Sequence, residues 1–375
     1  MSDRDRTVAI KSKNLTRTVL IFGGAGFVGS NWAAHLIQNT DAKIHLFDNL
    51  SRPGVRHNLR WLQRIKTSGE RLQITIGDVR NREQVERAVR SASEIYQFAA
   101  QVAVTTSIED PRSDFEVNLG GTFNILEAAR QAAHRPFILF TSTNKVYGNL
   151  ANAGEGKSQE ACGSSENGIS ESQPLDFHSP YGCSKGAADQ YVRDYARIYG
   201  IPAVVFRMSC IAGPQQFGTE DQGWVAHFLF SALQGKLITI YGDGRQVRDV
   251  LHVADLMGAF EAARLNLPAT AGQIFNVGGG SANAISLLQL IREIELLTKH
   301  RMRYNFAPAR QGDQAIYVTD YSKLQRATSW APKIGIRELL TGLREWWNEN
   351  RNLFAEEVET QQNDLPAFEP VARIA

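Results

Sequence analysis

Tyr181 and Lys185 stand four positions apart in the run YGCSK, so a helix there would carry a phenol and an ammonium on one face, one turn apart. A cation that close favours phenolate, which makes the pair a base usable near neutral pH. A second run, STNKVYG from Ser142 to Gly148, sets hydroxyls, an amide and a cation at the end of the apolar stretch Phe137 to Phe140. The third is Gly23-Gly24-Ala25-Gly26-Phe27-Val28-Gly29, which follows one apolar run and opens an amphipathic one. Glycines at 23, 26 and 29 allow a tight turn, close backbone approach to a pyrophosphate, and a helix N-terminus facing the anion. Asp48 ends the next apolar run, roughly 20 residues on, where a carboxylate accepts hydrogen bonds from an adenosine ribose. A 2′-phosphate there would meet like charge, which favours NAD over NADP, although nearby Arg52 would suit a phosphate. Asp78 either meets the adenine amine or caps the helix within VRNREQVERAV.

These residues need a frame, and the pattern from residue 17 onward supplies one. Short β-branched or aromatic runs (18–23, 43–48, 72–78, 94–100, 137–142, 203–209, 273–279) alternate with longer helical periods. That alternation predicts an α/β fold with a doubly wound parallel sheet. After residue 208, LITIYG and RMRYNF mix with helices in a smaller, discontinuous substrate lobe. The domain reading is 17–207 with 250–280 for the dinucleotide, 208–249 with 281–350 for the substrate, loosely ordered ends at 1–16 and 351–375, and a long loop at 149–176.

The chain of 375 residues is 43% hydrophobic, enough for a large core. Lys+Arg 41 against Asp+Glu 39 leaves a net charge of +2, which gives no general field for nucleic acid. Cys162, Cys183 and Cys210 make neither a disulfide framework nor a metal pattern, and no stretch reads as a signal peptide or membrane span. A cytoplasmic protein without a metal site is expected.

The glycine loop, Asp48, FAA (98–100), NLGGT (118–122), STNKVYG, YGCSK and GDGRQVRDVLHVADL (242–256) resemble the extended short-chain dehydrogenase/reductase family, the nucleotide-sugar epimerases and dehydratases. The resemblance covers about residues 17 to 348. It implies Thr143, Tyr181 and Lys185 as catalytic residues: the tyrosine takes a hydroxyl proton, the threonine bonds the reacting oxygen and the lysine holds the nicotinamide ribose. It implies NAD held by Gly23, Gly26, Phe27, Val28, Gly29, Asp48, Asn49, Ser51, Arg52, Asp78, Val79, Phe98, Ala99, Ala100, Gln101, Asn118 and Ser142, together with Tyr181 and Lys185. The substrate would meet Ser107, Thr143, Asn144, Ser209, Gln216, Trp224, Tyr241, Arg248 and Arg310, the two arginines serving the diphosphate.

Dehydrating relatives carry Asp-Glu directly after the threonine, because loss of water needs an acid and a base beside the bond. Asn144-Lys145 replaces that pair, and decarboxylating relatives have glutamate at the place of Lys145. Epimerisation remains. TNKVYG, PLDFHSPYGCSKGAADQYV, QFGTEDQGWVAHF and GRQVRDVLH resemble members that invert C2 of CDP-linked dideoxyhexoses. Periodicity cannot name the carbon, so 2- or 4-epimerisation of another sugar nucleotide such as CDP-glucose, and non-catalytic NAD binding, stay open. Phe22, Ala212 and Gln215 depart from the family pattern. His178, close before Tyr181, either lines the site or makes an ordinary hydrogen bond, and His252 is read as orienting a loop. Relatives pair through helices like 119–132 and 185–199, which implies a homo-oligomer, dimer or tetramer.

Overall fold

The computed structural model describes residues 17–65, 69–150, 168–310 and 312–363. Seven parallel strands form the main sheet: β1 (Thr18–Phe22), β2 (Lys43–Asp48), β3 (Leu72–Ile76), β4 (Glu94–Gln97), β5 (Phe137–Thr143), β6 (Ala203–Met208) and β10 (Ile274–Val277). Their order is β10-β6-β5-β4-β1-β2-β3. Every residue of β5 is buried, as a central parallel strand covered on both faces requires, which is why it reads as a continuous apolar run. Helices 27–39 and 253–265 cover one face around Trp32, Tyr96 and Phe260. Helices 82–89, 121–131 and 180–199 cover the other around Val85, Ile125 and Val192. The order reverses between β1 and β4, and the crevice outside the strand ends at such a reversal is where this architecture binds ligands.

A smaller sheet joins β7 (Cys210–Ala212), β9 (Val247–His252), β11 (Ala284–Ser286) and β13 (Ile316–Tyr317), while β8 (Ile238–Tyr241) pairs with β12 (Tyr304–Ala307). Its core, around Leu229, Leu290 and Leu343, lies among helices 224–233, 287–298 and 336–363.

Several element boundaries move. The runs expected as strands to residues 78 and 100 leave the sheet at Ile76 and Gln97, freeing 77–79 and 98–101 to line the crevice. β9 crosses the boundary placed between 249 and 250. The helix Ile336–Asn363 runs past 351, and Phe354 packs on Phe217, Phe230 and Trp346 instead of beginning a loose tail. Residues 1–16 and most of the long loop, 151–167, lie outside the described residues. The end of that loop is tied down: Ile169 bridges Thr319, and the Asn276 amide donates to Glu171.

Candidate active site

A cavity of about 780 Å³ opens at the strand reversal and runs from the glycine turn to the small lobe. At its floor Gly23 has φ +72°, and a Cβ there would come within 2.7 Å of the Ala99 amide nitrogen. A Cβ on Gly29 would collide with the Gly23 carbonyl, so the helix 27–39 can start here only because positions 23 and 29 carry no Cβ. Asp48 faces the same turn and accepts from the Ala25 amide (2.9 Å) and the Leu50 amide (2.8 Å). Burial pushes its carboxyl up, against those amides and Arg52.

Asn49 donates to Asp78 at 3.2 Å. Asp78 is gripped by Arg80, which holds its carboxyl down at about 2. The helix cap is Asn81, which accepts from the Gln84 amide, so Asp78 is not the cap. Arg52 turns across the cleft to Gln222 (3.1 Å). Ser142 Oγ and Gln101 Oε1 are buried in the cleft region and have no partner among the described residues. A glycine cradle, a carboxylate and unsatisfied polar atoms fit a dinucleotide, with Gly23, Gly26, Gly29 and Asp48 holding it.

Ser179 caps the helix Pro180–Tyr199 by accepting the Gly182 amide at 3.0 Å, which places Tyr181 in its first turn and Lys185 one turn further. Both side chains reach the cleft, as does Thr143 at the end of β5. The electrostatics differ from the expectation. Burial pushes the Tyr181 phenol up to about 12, opposed by Thr143 and Arg52. Lys185 is not among the groups that lower it. Instead burial pulls Lys185 down to about 7, opposed by Asp189 and Asp114, and its Nζ sits 4.3 Å from the centre of the Phe140 ring.

The turn Asn144–Tyr147 after Thr143 contains no carboxylate. Asn144 donates to Gln314 (3.2 Å), whose own amide donates back to the Asn144 carbonyl. Lys145 donates to Asp313 Oδ1 (3.2 Å), and Arg248 donates to the same oxygen (2.8 Å). Burial would push the Asp313 carboxyl up, but Lys145 and Arg248 carry it below the usual range, so it remains a charged acceptor and not an acid. Arg310 lies 3.9 Å from the Tyr241 ring centre and reaches Glu220 and Asp221. Glu220 also accepts from the Tyr241 hydroxyl at 2.5 Å. Ser209 is held by Asp249, Gln216 by the Ile211 carbonyl, and Trp224 by the Cys210 sulfur.

Two of the predicted residues do not line the cleft. Asn118 is buried behind it, where it donates to Asp114, Ser184 and the Gln101 carbonyl and accepts the Gln101 amide, thus fixing the 98–103 loop to the helix of Tyr181. Ser107 spends its hydroxyl on the Val104 carbonyl. His178 pairs with Asp176 and is absent from the cleft wall, and His252 caps the helix 253–265. Phe22 packs edge-on against Phe47 at 5.0 Å, while Ala212 is buried within the small sheet. Gln215 lies in the cleft wall with φ +67°. Sequence reasoning missed Asp313, Gln314 and Thr105. The run PARQGDQ was noticed for its arginine alone, and the carboxylate and amide beside it carried the same signal.

The crevice at the strand reversal, with its glycine cradle and its Thr-Tyr-Lys set, defines an NAD-dependent epimerase/dehydratase of the extended short-chain type, and the chain belongs to that family. Residues 20–343 match the family described as GDP-mannose 4,6 dehydratase. The chain is 43% identical over 338 residues to CDP-paratose 2-epimerase of Salmonella typhi, covering 88% of this chain and 98% of that one. It superposes on UDP-glucose 4-epimerase of Thermus thermophilus complexed with NAD at a TM-score of 0.72, with 31% identity and coverage of 87% and 99%. It also matches dTDP-glucose 4,6-dehydratase of Bacillus anthracis str. Ames, in complex with NAD, at a TM-score of 0.76, 26% identity and coverage of 91% and 100%. Among the described residues no helix is long and apolar enough to cross a membrane.

Proposed function

We propose that the protein binds NAD and inverts C2 of a CDP-linked deoxyhexose, interconverting sugars of the CDP-paratose and CDP-tyvelose kind. The observation that carries this reading is the turn after Thr143. Asn144 is tied to Gln314 and Lys145 to Asp313, so no acid and base pair stands ready to drive water from the sugar. The 43% identity to a CDP-paratose 2-epimerase along nearly its whole length supports the choice of C2 and of CDP.

NAD, held by the turn of Gly23, Gly26 and Gly29 and by Asp48, would supply reversible hydride acceptance at the sugar carbon. Tyr181 takes the hydroxyl proton as the carbon is oxidised and gives it back when the ketone is reduced on its other face. Thr143, at the strand end, holds the reacting oxygen, and Lys185 orients the ribose. The ketone turns over between the two steps, in the cleft that Trp224, Gln216 and Ser209 wall on the sugar side. Arg248 and Arg310 hold the diphosphate.

Phe123 and Tyr191, exposed at 41% and 44% on helices 121–131 and 180–199, stack edge-on and form the face we assign to a second copy of the chain. The free thiols Cys183 and Cys210 fit a reducing, cytoplasmic setting.

A panel of CDP-, UDP- and dTDP-linked hexoses and deoxyhexoses, incubated with the purified protein without added cofactor, tests the reading by NMR of the products. The C2 epimer of a CDP-deoxyhexose is expected, and Tyr181→Phe should slow its formation about 10²–10⁴-fold. Inversion at C4, or an unsaturated or 6-deoxy-4-keto product, would reject it.

A further inference from the structure

Lys145 combines a position next to the reacting centre with a charge that its surroundings do not fully neutralise. Thr143 Oγ1 accepts the Lys145 amide at 3.2 Å, so the lysine leaves from the same turn that presents the threonine. Its side chain runs into the cleft wall and ends on Asp313 Oδ1, the oxygen that also takes Arg248. Arg248 is fixed further by the Val247 carbonyl (2.7 Å) and the Gln314 carbonyl, so this guanidinium cannot swing away to leave the carboxylate to the lysine.

Two cations on one carboxylate oxygen leave a positive charge uncompensated at a largely buried site, an arrangement that is costly until an anion joins it. The charged or titratable groups facing Lys145 are Asp313, Arg248 and the Cys210 thiol. Burial, and after it Arg248, pull the Lys145 pKa down, against Asp313.

The chemistry of a nucleotide sugar turns this position into a statement about regiochemistry. C2 is separated from the nearer phosphorus only by the anomeric carbon and the bridging oxygen, whereas C4 lies across the ring. A cation issuing from the turn that carries the reacting threonine therefore suits a substrate whose reacting carbon and phosphoryl group are close together. We propose that Lys145, held by Asp313, is a positioning residue that contacts the sugar-side phosphoryl group and so brings C2, and not C4, under Tyr181. This rests on the function proposed above and adds the residue that selects the carbon.

The test compares CDP with CMP as ligands, since CMP lacks the phosphoryl group that Lys145 would touch. Binding of each to the purified full-length chain is measured by titration calorimetry for wild type, Lys145→Gln and Lys145→Arg. Loss of a charge-assisted hydrogen bond predicts that Lys145→Gln weakens CDP about 10-fold or more while CMP stays within about 2-fold. Lys145→Arg, which keeps the charge, is expected to retain most of the preference for CDP. Equal loss for both nucleotides, or no loss for either, overturns the proposal, and retained CMP binding reports an intact fold. If wild type inverts C2 while Lys145→Gln binds CDP normally, this inference falls and the proposed function stands. If wild type inverts no CDP-sugar while the Lys145-dependent preference persists, the function falls, the C2 assignment falls with it, and only the phosphoryl contact survives.

Discussion

Burial holds the Tyr181 phenol up at about 12 and the Lys185 ammonium down at about 7, so near pH 7 in the ligand-free cleft the phenol is neutral and the lysine is poised between its two forms. For the proposed role as base, the tyrosine needs positive charge brought beside it by bound ligands, which would couple proton removal to a loaded site. A consequence for stability follows. The folded-state pKa of Lys185, about 7, lies below its ordinary value of 10.5, so the unfolded chain binds that proton more tightly. The cost of burying the cation is present in full below about pH 7 and fades as the pH rises towards the unfolded value. Lys185→Met should therefore melt higher relative to wild type at about pH 6 than at about pH 10 in cofactor-stripped protein. A difference that does not change with pH would contradict the buried-cation account. That Thr143, Tyr181 and Lys185 meet at one cleft was legible from sequence, because each lies in a short run whose type and spacing point to one site. Their electrostatics were not, because burial comes from packing against Phe140 and other residues distant along the chain.

The segment Gly218–Gly223 is a small closed turn, its Thr219 amide donating to the Gln222 carbonyl at 2.8 Å. It bridges the two walls of the cleft: Asp221 accepts from Thr105 and Gln222 from Arg52 on one side, while Glu220 and Asp221 hold Arg310 on the other. Glu220 thus occupies a guanidinium assigned to the diphosphate. Glu220→Gln should lower KM for the nucleotide sugar about 2–5-fold at low ionic strength, the range of an exposed ion pair. A raised KM in steady-state assays would show that the carboxylate helps to bind substrate. At this scale the sequence exposed the polar run but not its contacts. Asn144 and Gln314 are 170 positions apart, and no local pattern links them. Asn118 and Ser107, expected at the ligand, stand behind the cleft wall for a related reason. A polar residue beside a motif can serve the backbone behind the wall as easily as the ligand in front of it.

Two apolar layers on the main sheet and a third core in the small lobe leave one continuous crevice where the strand order reverses. The alternation of apolar runs and helical periods made the doubly wound sheet legible. The small lobe was legible as a separate, discontinuous unit after residue 208, but its strand pairings were not, since its strands are brief and β9 gathers partners from 210–212, 284–286 and 316–317, pairings that are set by tertiary packing. The arrangement is consistent with the proposed reversible redox at one sugar carbon, and the turn after Thr143 carries no carboxylate pair of the kind elimination uses. The most direct test is to run the reaction on a CDP-linked 3,6-dideoxyhexose in D₂O without added cofactor and to follow C2 by NMR. Inversion at C2 with its original hydrogen retained is predicted, whereas deuterium at C2, or no inversion there, would contradict the account.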